Sequence, residues 1–196
     1  MAEKKVNLGR RQFLTVATSA VAAAGAVGIA VPFVGSWNPS AKAKAAGAPV
    51  KFDVSKMEPG QLVRVEWRGQ PVFVVRRTKE QIDDLSSLVP QLKDPNSLVS
   101  SQPDYVDPSS RSVKDEFLVL VGLCTHLGCS PKYIEKLSGS APDVDWKGGF
   151  FCACHGSKFD MAGRVYKGVP ASENLVVPPY WYQSDSVIEI GVDGAV

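Results

Sequence analysis

The hydrophobic pattern divides the chain into two regimes. From Phe13 to Val34 the sequence is mostly Ala, Val and Gly with Leu, Ile and Phe at intervals, and no charged residue occurs between Arg11 and Lys42. At about 1.5 Å per residue, about 20 helical residues cross a hydrocarbon core of roughly 30 Å, so the pattern predicts one transmembrane helix over residues 13–37. Pro32 falls in its last turn. Beyond residue 50 the runs become short. Leu62 to Trp67 (LVRVEW) alternates with period two, and Arg68-Gly69-Gln70 separates it from Pro71 to Val75 (PVFVV), a hairpin signal. Phe117–Val121, Gly149–Phe151, Leu175–Val177 and Val187–Val192 read as further strands bounded by Gly, Pro, Ser or Asp. One helix is expected where Thr78-Lys79-Glu80-Gln81 has capping-box spacing and leads into Ile82, Leu85 and Leu88, with Pro90 ending it. Residues 90–112 hold four prolines and six serines with little apolar periodicity, and read as a long surface excursion. The fold class predicted is mainly β: an N-terminal transmembrane helix followed by an antiparallel β head with one helix and loop insertion.

Between the two regimes, residues 38–49 (NPSAKAKAAGAP) are small and weakly polar and read as a flexible hinge. The layout is a basic end over 1–12, an anchor over 13–37, the hinge, and a head over 50–196. Charge sharpens it. Residues 1–49 carry six cationic side chains and one acidic one, whereas the remainder carries 16 and 19. Lys4, Lys5, Arg10 and Arg11 precede the apolar stretch, which by the positive-inside rule keeps the N-terminus cytoplasmic and sends the head across. Arg10-Arg11-Gln12-Phe13-Leu14 resembles the twin-arginine export signal, an address for proteins that cross already folded. Ala41-Lys42-Ala43 and Ala43-Lys44-Ala45 also look like small-residue cleavage sites, so a retained anchor and a removed signal are both open. The formal net charge of +2 gives no electrostatic case for nucleic-acid binding.

The chemistry is confined to two windows. All four cysteines and both histidines lie in Cys124-Thr125-His126-Leu127-Gly128-Cys129 and Cys152-Ala153-Cys154-His155-Gly156-Ser157. Both windows follow apolar strand-like runs and contain Gly, so they read as paired loops able to clasp one metal site, and nothing is left for a second centre of the same ligand type. A Cys₂His₂ structural zinc fits the ligand count but leaves two cysteines without a task. Two plain disulfides would use the cysteines and ignore the histidines. A [2Fe–2S] cluster with two Cys on one iron and two His on the other is a further option, and it rests on a family resemblance.

C-T-H-L-G-C with C-x-C-H-G-S resembles the Rieske iron–sulfur proteins, specifically the subunit type of the cytochrome bc1 complex. The resemblance covers the anchor, the hinge and the cluster-binding part of the head, about 117–180, and leaves 78–115 unmatched. It implies that Cys124 and Cys152 bind the inner iron, that His126 and His155 bind the outer one, and that Cys129 and Cys154 form a disulfide between the loops. Soluble Rieske ferredoxins and oxygenase domains typically lack that extra Cys pair, so its presence points to the quinol-oxidising class. A disulfide suits an oxidising compartment, and a cluster inserted before export suits the twin-arginine route.

The resemblance further implies a catalytic role for His155, which would accept a hydrogen bond from ubiquinol at cytochrome b while the electron goes on to cytochrome c1. It implies an oxidoreductase and translocase, within a dimeric complex of the bacterial inner membrane, with a periplasmic head. Ser157 matches a family serine that donates to a bridging sulfide. Phe159 stands where many members have Tyr, so a lower potential than in Tyr-bearing relatives is expected. Gly168-Val169-Pro170 resembles the loop that covers the cluster from a third side. A rival reading is the small electron-transfer subunit of an exported oxidase such as arsenite oxidase; a zinc-stabilised, non-redox binding module is a third.

Overall fold

The computed structural model describes residues 7–136 and 139–194, with the side chain of Ala46 left aside. Glu3, Lys4 and Lys5 of the expected cytoplasmic end therefore lie outside the described residues. Contacts divide the chain into two compact units, with the boundary between Ala45 and Ala46.

In the first unit, α1 spans Leu8–Gly35, starting five residues earlier than the predicted anchor and ending two residues sooner. The Asn7 side chain accepts from Arg10 N and caps its start. Twenty-eight residues at 1.5 Å give about 42 Å, more than a hydrocarbon core requires. No side chain of α1 is buried, and the most apolar window has a mean hydropathy of 1.9. The hydroxyls of Thr15 and Thr18 donate back to the carbonyls of Arg11 and Leu14, which satisfies these two polar groups within the helix itself. Pro32 removes one helical N–H in the last turn, and Ser36 closes that end by donating from Oγ to Phe33 O at 2.6 Å. The expected hinge is not uniformly extended. Its Ala and Lys residues form the short helix α2 (Ala41–Ala46), as their propensity favours, with Ser40 Oγ accepting from Ala43 N.

The second unit is built from three antiparallel sheets of three strands. β1 (Val50–Asp53), β9 (Val187–Ile190) and β8 (Tyr180–Tyr182) form the first. β2 (Leu62–Trp67), β3 (Gln70–Arg76) and β4 (Phe117–Val121) form the second, and β5 (Lys132–Ile134), β6 (Gly149–Cys152) and β7 (Ser157–Phe159) the third. The predicted hairpin is β2–β3, closed by a two-residue turn at Arg68-Gly69, both at positive φ, with the Arg68 guanidinium over the Trp67 ring. Val72 to Val75 and Leu118 to Leu120 are completely buried, so β3 and β4 are apolar on both faces. The Phe73 and Phe150 rings stack at 5.8 Å, joining the second sheet to the third in one core that also takes in Ile188 and Ile190 of the first.

Three expectations are corrected. Leu175 and Val177 are buried and Val176 half-buried, but the segment belongs to no ladder; Val121 N donates to Val176 O, and Val177 N to Ser101 O. The helix after Thr78 does not run to Leu88. The capping box forms as predicted, but α3 covers only Lys79–Asp83, and two 3₁₀ turns follow at Asp84–Ser86 and Val89–Gln91, the second containing Pro90. Residues 90–112 are a surface excursion only in part, with Leu98 and Val99 exposed. Leu92, Asp94, Ser100, Val106, Ser110, Arg111 and Ser112 are all buried there.

Polar pairing explains how a segment without apolar periodicity packs inside. Arg111, fully buried, donates to Leu175 O at 2.6 Å and to Gln102 Oε1 at 3.1 Å. Arg77 donates to the carbonyls of Asp115, Ser110 and Met161 and to Ser112 Oγ. Arg164 pairs with the buried Asp160 carboxylate at 2.7 Å and reaches Leu85 O. Burial lowers the Arg77 and Arg111 guanidinium pKa values to about 10, still well above neutrality. Each buried cation is matched by carbonyls or a carboxylate, as burial of charge demands.

Tyr180 is fully buried, its hydroxyl accepting from Val113 N at 2.8 Å, and burial pushes its pKa up to about 12. The unfolded phenol ionises near 10, so above that pH the unfolded chain releases a proton that the folded chain keeps, and stability falls by up to about 3 kcal/mol. Urea unfolding of the detergent-solubilised chain at about pH 9 and pH 11 measures this loss. In Tyr180→Phe the alkaline loss is expected to shrink, although stability at neutral pH falls because Val113 loses its acceptor.

Candidate metal centre

Strand register brings the two chemical windows together. The first loop connects β4 to β5, and the second is the turn between β6 and β7, where Cys152 pairs with Ser157. Because β5 pairs with β6 with Lys132 opposite Phe151, the end of the first loop lies beside the start of the second. The loops also share one turn. Gly128 N donates to Cys124 O and Gly156 N to Cys152 O, each at 2.8 Å and each four residues after its cysteine. Gly128 and Gly156 have φ of +80° and +78°, a region that a side chain disfavours.

The two windows converge as two kinds of donor. Cys124 and Cys152 are free thiols at 3% and 2% exposure. Burial pushes the Cys152 thiol up; the backbone N–H groups of Cys154 and His155 work against this, and the adjacent Cys124 thiol adds to it. Two thiols crowded in an apolar site ionise together only with positive charge between them. The His126 and His155 rings lie 4.8 Å apart and nearly perpendicular, at 87°. His126 is half-buried and His155 exposed. His126 Nδ1 is buried with no hydrogen-bond partner, a cost of about 1–3 kcal/mol unless a metal takes its lone pair. This donor set, two thiols and two imidazoles with one orphaned nitrogen, fits a metal centre with mixed S and N ligation.

Cys129 and Cys154 form a disulfide with Cα atoms 6.8 Å apart. Their Sγ atoms and that of Cys152 lie within 4.8 Å of one another, but sulfurs spent in a disulfide cannot bind as thiolates, so this trio is not a ligand set. Ser157 is fully buried, and its Oγ accepts from Ala171 N at 3.0 Å, which leaves its own hydrogen for another acceptor. Phe159 is fully buried on β7. Gly168, at φ +72°, and Pro170 are exposed.

The loop over residues 167–174 is held to both windows, and its holding residues are the ones that motif reading missed. Thr125 Oγ1 donates to Glu173 O at 2.6 Å, and Ala171 donates to Ser157. On its far side Asn174 is buried and bonded to Asp94 O, Ser100 Oγ and Val165 N. The turn signal Asp94-Pro95-Asn96-Ser97 was the one available hint of an ordered structure there.

A β head whose facing loops each supply one buried free thiol and one imidazole, braced by a disulfide, defines a two-loop metalloprotein. Residues 49–180 match the family described as "Rieske [2Fe-2S] domain", and residues 1–40 that described as "Ubiquitinol-cytochrome C reductase Fe-S subunit TAT signal". Proteins named "Ubiquinol-cytochrome c reductase iron-sulfur subunit" are similar over nearly the whole chain. The one from Allochromatium vinosum is 55% identical over 98% of this chain and 93% of its own length, and that from Bradyrhizobium diazoefficiens 43% over 93% and 94%. A chain of the solved structure "Hyperthermophilic respiratory Complex III" matches with TM-score 0.48 and 28% identity, covering 88% of this chain and 98% of that one. The chain belongs to the family of Rieske iron–sulfur subunits of ubiquinol–cytochrome c reductase. Its cofactor is accordingly a Rieske-type [2Fe–2S] cluster.

The disulfide spans 25 residues of sequence, and a crosslink of that span is worth about 3.5 kcal/mol in the chain-entropy model. Cys154→Ser is therefore expected to lower the unfolding free energy by about 2–4 kcal/mol and to shorten the lifetime of the bound cluster. Loss of the visible cluster spectrum on warming follows both effects; an unchanged decay rate would contradict the bracing role.

Proposed function

We propose that Cys124 and Cys152 ligate one iron, that His126 and His155 ligate the other through Nδ1, and that the head takes an electron from ubiquinol and passes it on to a cytochrome. The observation that carries this reading is that two loops tied by one disulfide hold two buried free thiols and a perpendicular imidazole pair, one of whose nitrogens is buried without a partner. When bound, a [2Fe–2S] group with two neutral imidazoles supplies a one-electron acceptor of raised potential.

The protein's own groups do the rest. His155 is exposed, so the ring nitrogen it keeps free of metal can accept a hydrogen bond and then a proton from a quinol hydroxyl. His126 sits deeper and is the supporting ligand. The Ser157 hydroxyl, fixed by Ala171 N, keeps its hydrogen for a cluster sulfur and so favours the reduced form. Cytochrome b binds the quinol, and cytochrome c1 receives the electron, within a dimeric complex of the bacterial inner membrane. α1 is the anchor with its N-terminus cytoplasmic, and residues 38–49 tether a periplasmic head. No observation favours the small subunit of an exported oxidase over this reading.

The test is the EPR spectrum of reduced membranes containing the chain. A low average g value is expected, with line positions that respond to quinol-site inhibitors; a spectrum indifferent to them would sink the quinol reading. Phe159 places an apolar ring where a phenol would supply a further donor. Phe159→Tyr is expected to raise the midpoint potential by about 30 mV or more, roughly a threefold gain at 59 mV per tenfold. An unchanged or lower potential would remove residue 159 from the tuning groups.

A further inference from the structure

Residues 90–112 have no part in the ligand set, yet they grip the loop that covers it. Lys167 N donates to Gln91 O at 2.8 Å, and Lys93 N to Val165 O at 2.9 Å, which fixes the entry to the 167–174 loop. At its exit Arg111 Nη1 donates to Leu175 O at 2.6 Å, and Val177 N to Ser101 O at 3.2 Å. Asn174 joins the two sides. Its Nδ2 donates to Asp94 O at 2.9 Å, its Oδ1 accepts from Val165 N at 2.8 Å, and its backbone N donates to Ser100 Oγ at 3.0 Å.

The turn that presents these partners is itself closed around one carboxylate. Asp94 Oδ1 accepts from Leu98 N, and Oδ2 from Val99 N, Ser100 N and Ser100 Oγ, the last at 2.7 Å. The Ser100 hydroxyl is thus donor to Asp94 and acceptor from Asn174, and its geometry links the turn to the loop. Charge-assisted hydrogen bonds to a largely buried carboxylate are the strong kind, so this turn is a stiff support. Asn174 lies three positions after Ala171, whose N–H orients Ser157, and Glu173 lies next to it with its carbonyl on Thr125.

We propose that Asp94, Ser100, Arg111 and Asn174 form a positioning clamp that holds the 167–174 loop against both metal-binding loops and thereby sets the electron affinity of the centre through the Ser157 hydroxyl. None of the four touches a ligand in this role; they act through Ala171 and Glu173. A slack clamp lets Ala171 N drift from Ser157 Oγ, and the hydroxyl then loses the orientation that directs its hydrogen at sulfur. The clamp rests on the cluster reading given above, and the two can fail separately.

The mildest probe is Ser100→Ala in the full chain within membranes, with Ser100→Thr as the variant that keeps a hydroxyl. Val106→Ala, a buried apolar truncation in the same segment, controls for simple loss of stability. Ser100→Ala is expected to keep the cluster signal but lower the reduction equilibrium constant at least threefold, about 28 mV at 59 mV per tenfold, with Ser100→Thr restoring it. Val106→Ala should lower Tm without that shift. Amide exchange at Ala171, which needs no cluster, should quicken at least tenfold in Ser100→Ala and in Asn174→Ala relative to the control. A wild-type potential together with control-like exchange at Ala171 in these variants would overturn the clamp. Absence of a cluster signal in the unaltered chain would instead overturn the reading on which the clamp stands.

Discussion

The tip of the head depends on keeping two loops face to face. Each loop carries one buried free thiol and one imidazole. Their approach is set first by backbone register, since the β5–β6 ladder places Lys132 against Phe151 and leaves both loops at one end. The Cys129–Cys154 crosslink then holds the two loops together. Repulsion between two thiolates and the desolvation of Cys124 and Cys152 act against this arrangement. The covalent brace sits outside the ligand set and resists that opposition without competing for metal. It also divides the four cysteines by chemistry: two exposed or half-buried sulfurs are oxidised, and two buried ones stay as thiols.

Behind the tip the head uses buried polar groups where a larger apolar core would be the simpler solution. Arg77, Arg111 and Arg164 are nearly inaccessible, and between them they bind carbonyls from five separate parts of the chain. Hydrogen bonds of this kind fix position more closely than apolar contacts do, because a displaced guanidinium strands both a charge and its acceptors. The consequence reaches the site through the 167–174 loop, which is anchored on one side by the Asp94 turn and on the other touches Thr125 and Ser157.

Much of this was legible in the sequence for physical reasons that differ from element to element. The two windows were readable because metal chemistry resides in residue type and spacing, and every Cys and His fell within them. The anchor was readable from length and absence of charge, the hairpin from period two, and the start of α3 from its capping box. β5, β7 and β8 have three residues each, too few to display a period. Leu175–Val177 has strand composition but pairs with single carbonyls and amides from three different segments, at Ser101, Val121 and Gly163, so composition alone misassigns it. Residues 90–112 were misread for the deepest reason. Hydropathy detects apolar burial, whereas this segment is buried by satisfied polar groups, and Asp94, Ser100 and Arg111 look like surface residues until their partners are known. For the same reason the motifs pointed to the cysteines and histidines, and not to the residues that hold the covering loop.

The proposed cluster would be held by two cysteines on one iron and two histidines on the other, spread over two loops. Iron and acid-labile sulfide analysis of the purified full chain, combined with pulsed EPR of its reduced state, tests this most directly. Iron and sulfide are expected in equal amounts, with hyperfine couplings from two inequivalent imidazole nitrogens, one of which is lost when His126 or His155 is replaced. A stoichiometric zinc content with no EPR signal, or a reduced cluster without nitrogen couplings, would contradict it.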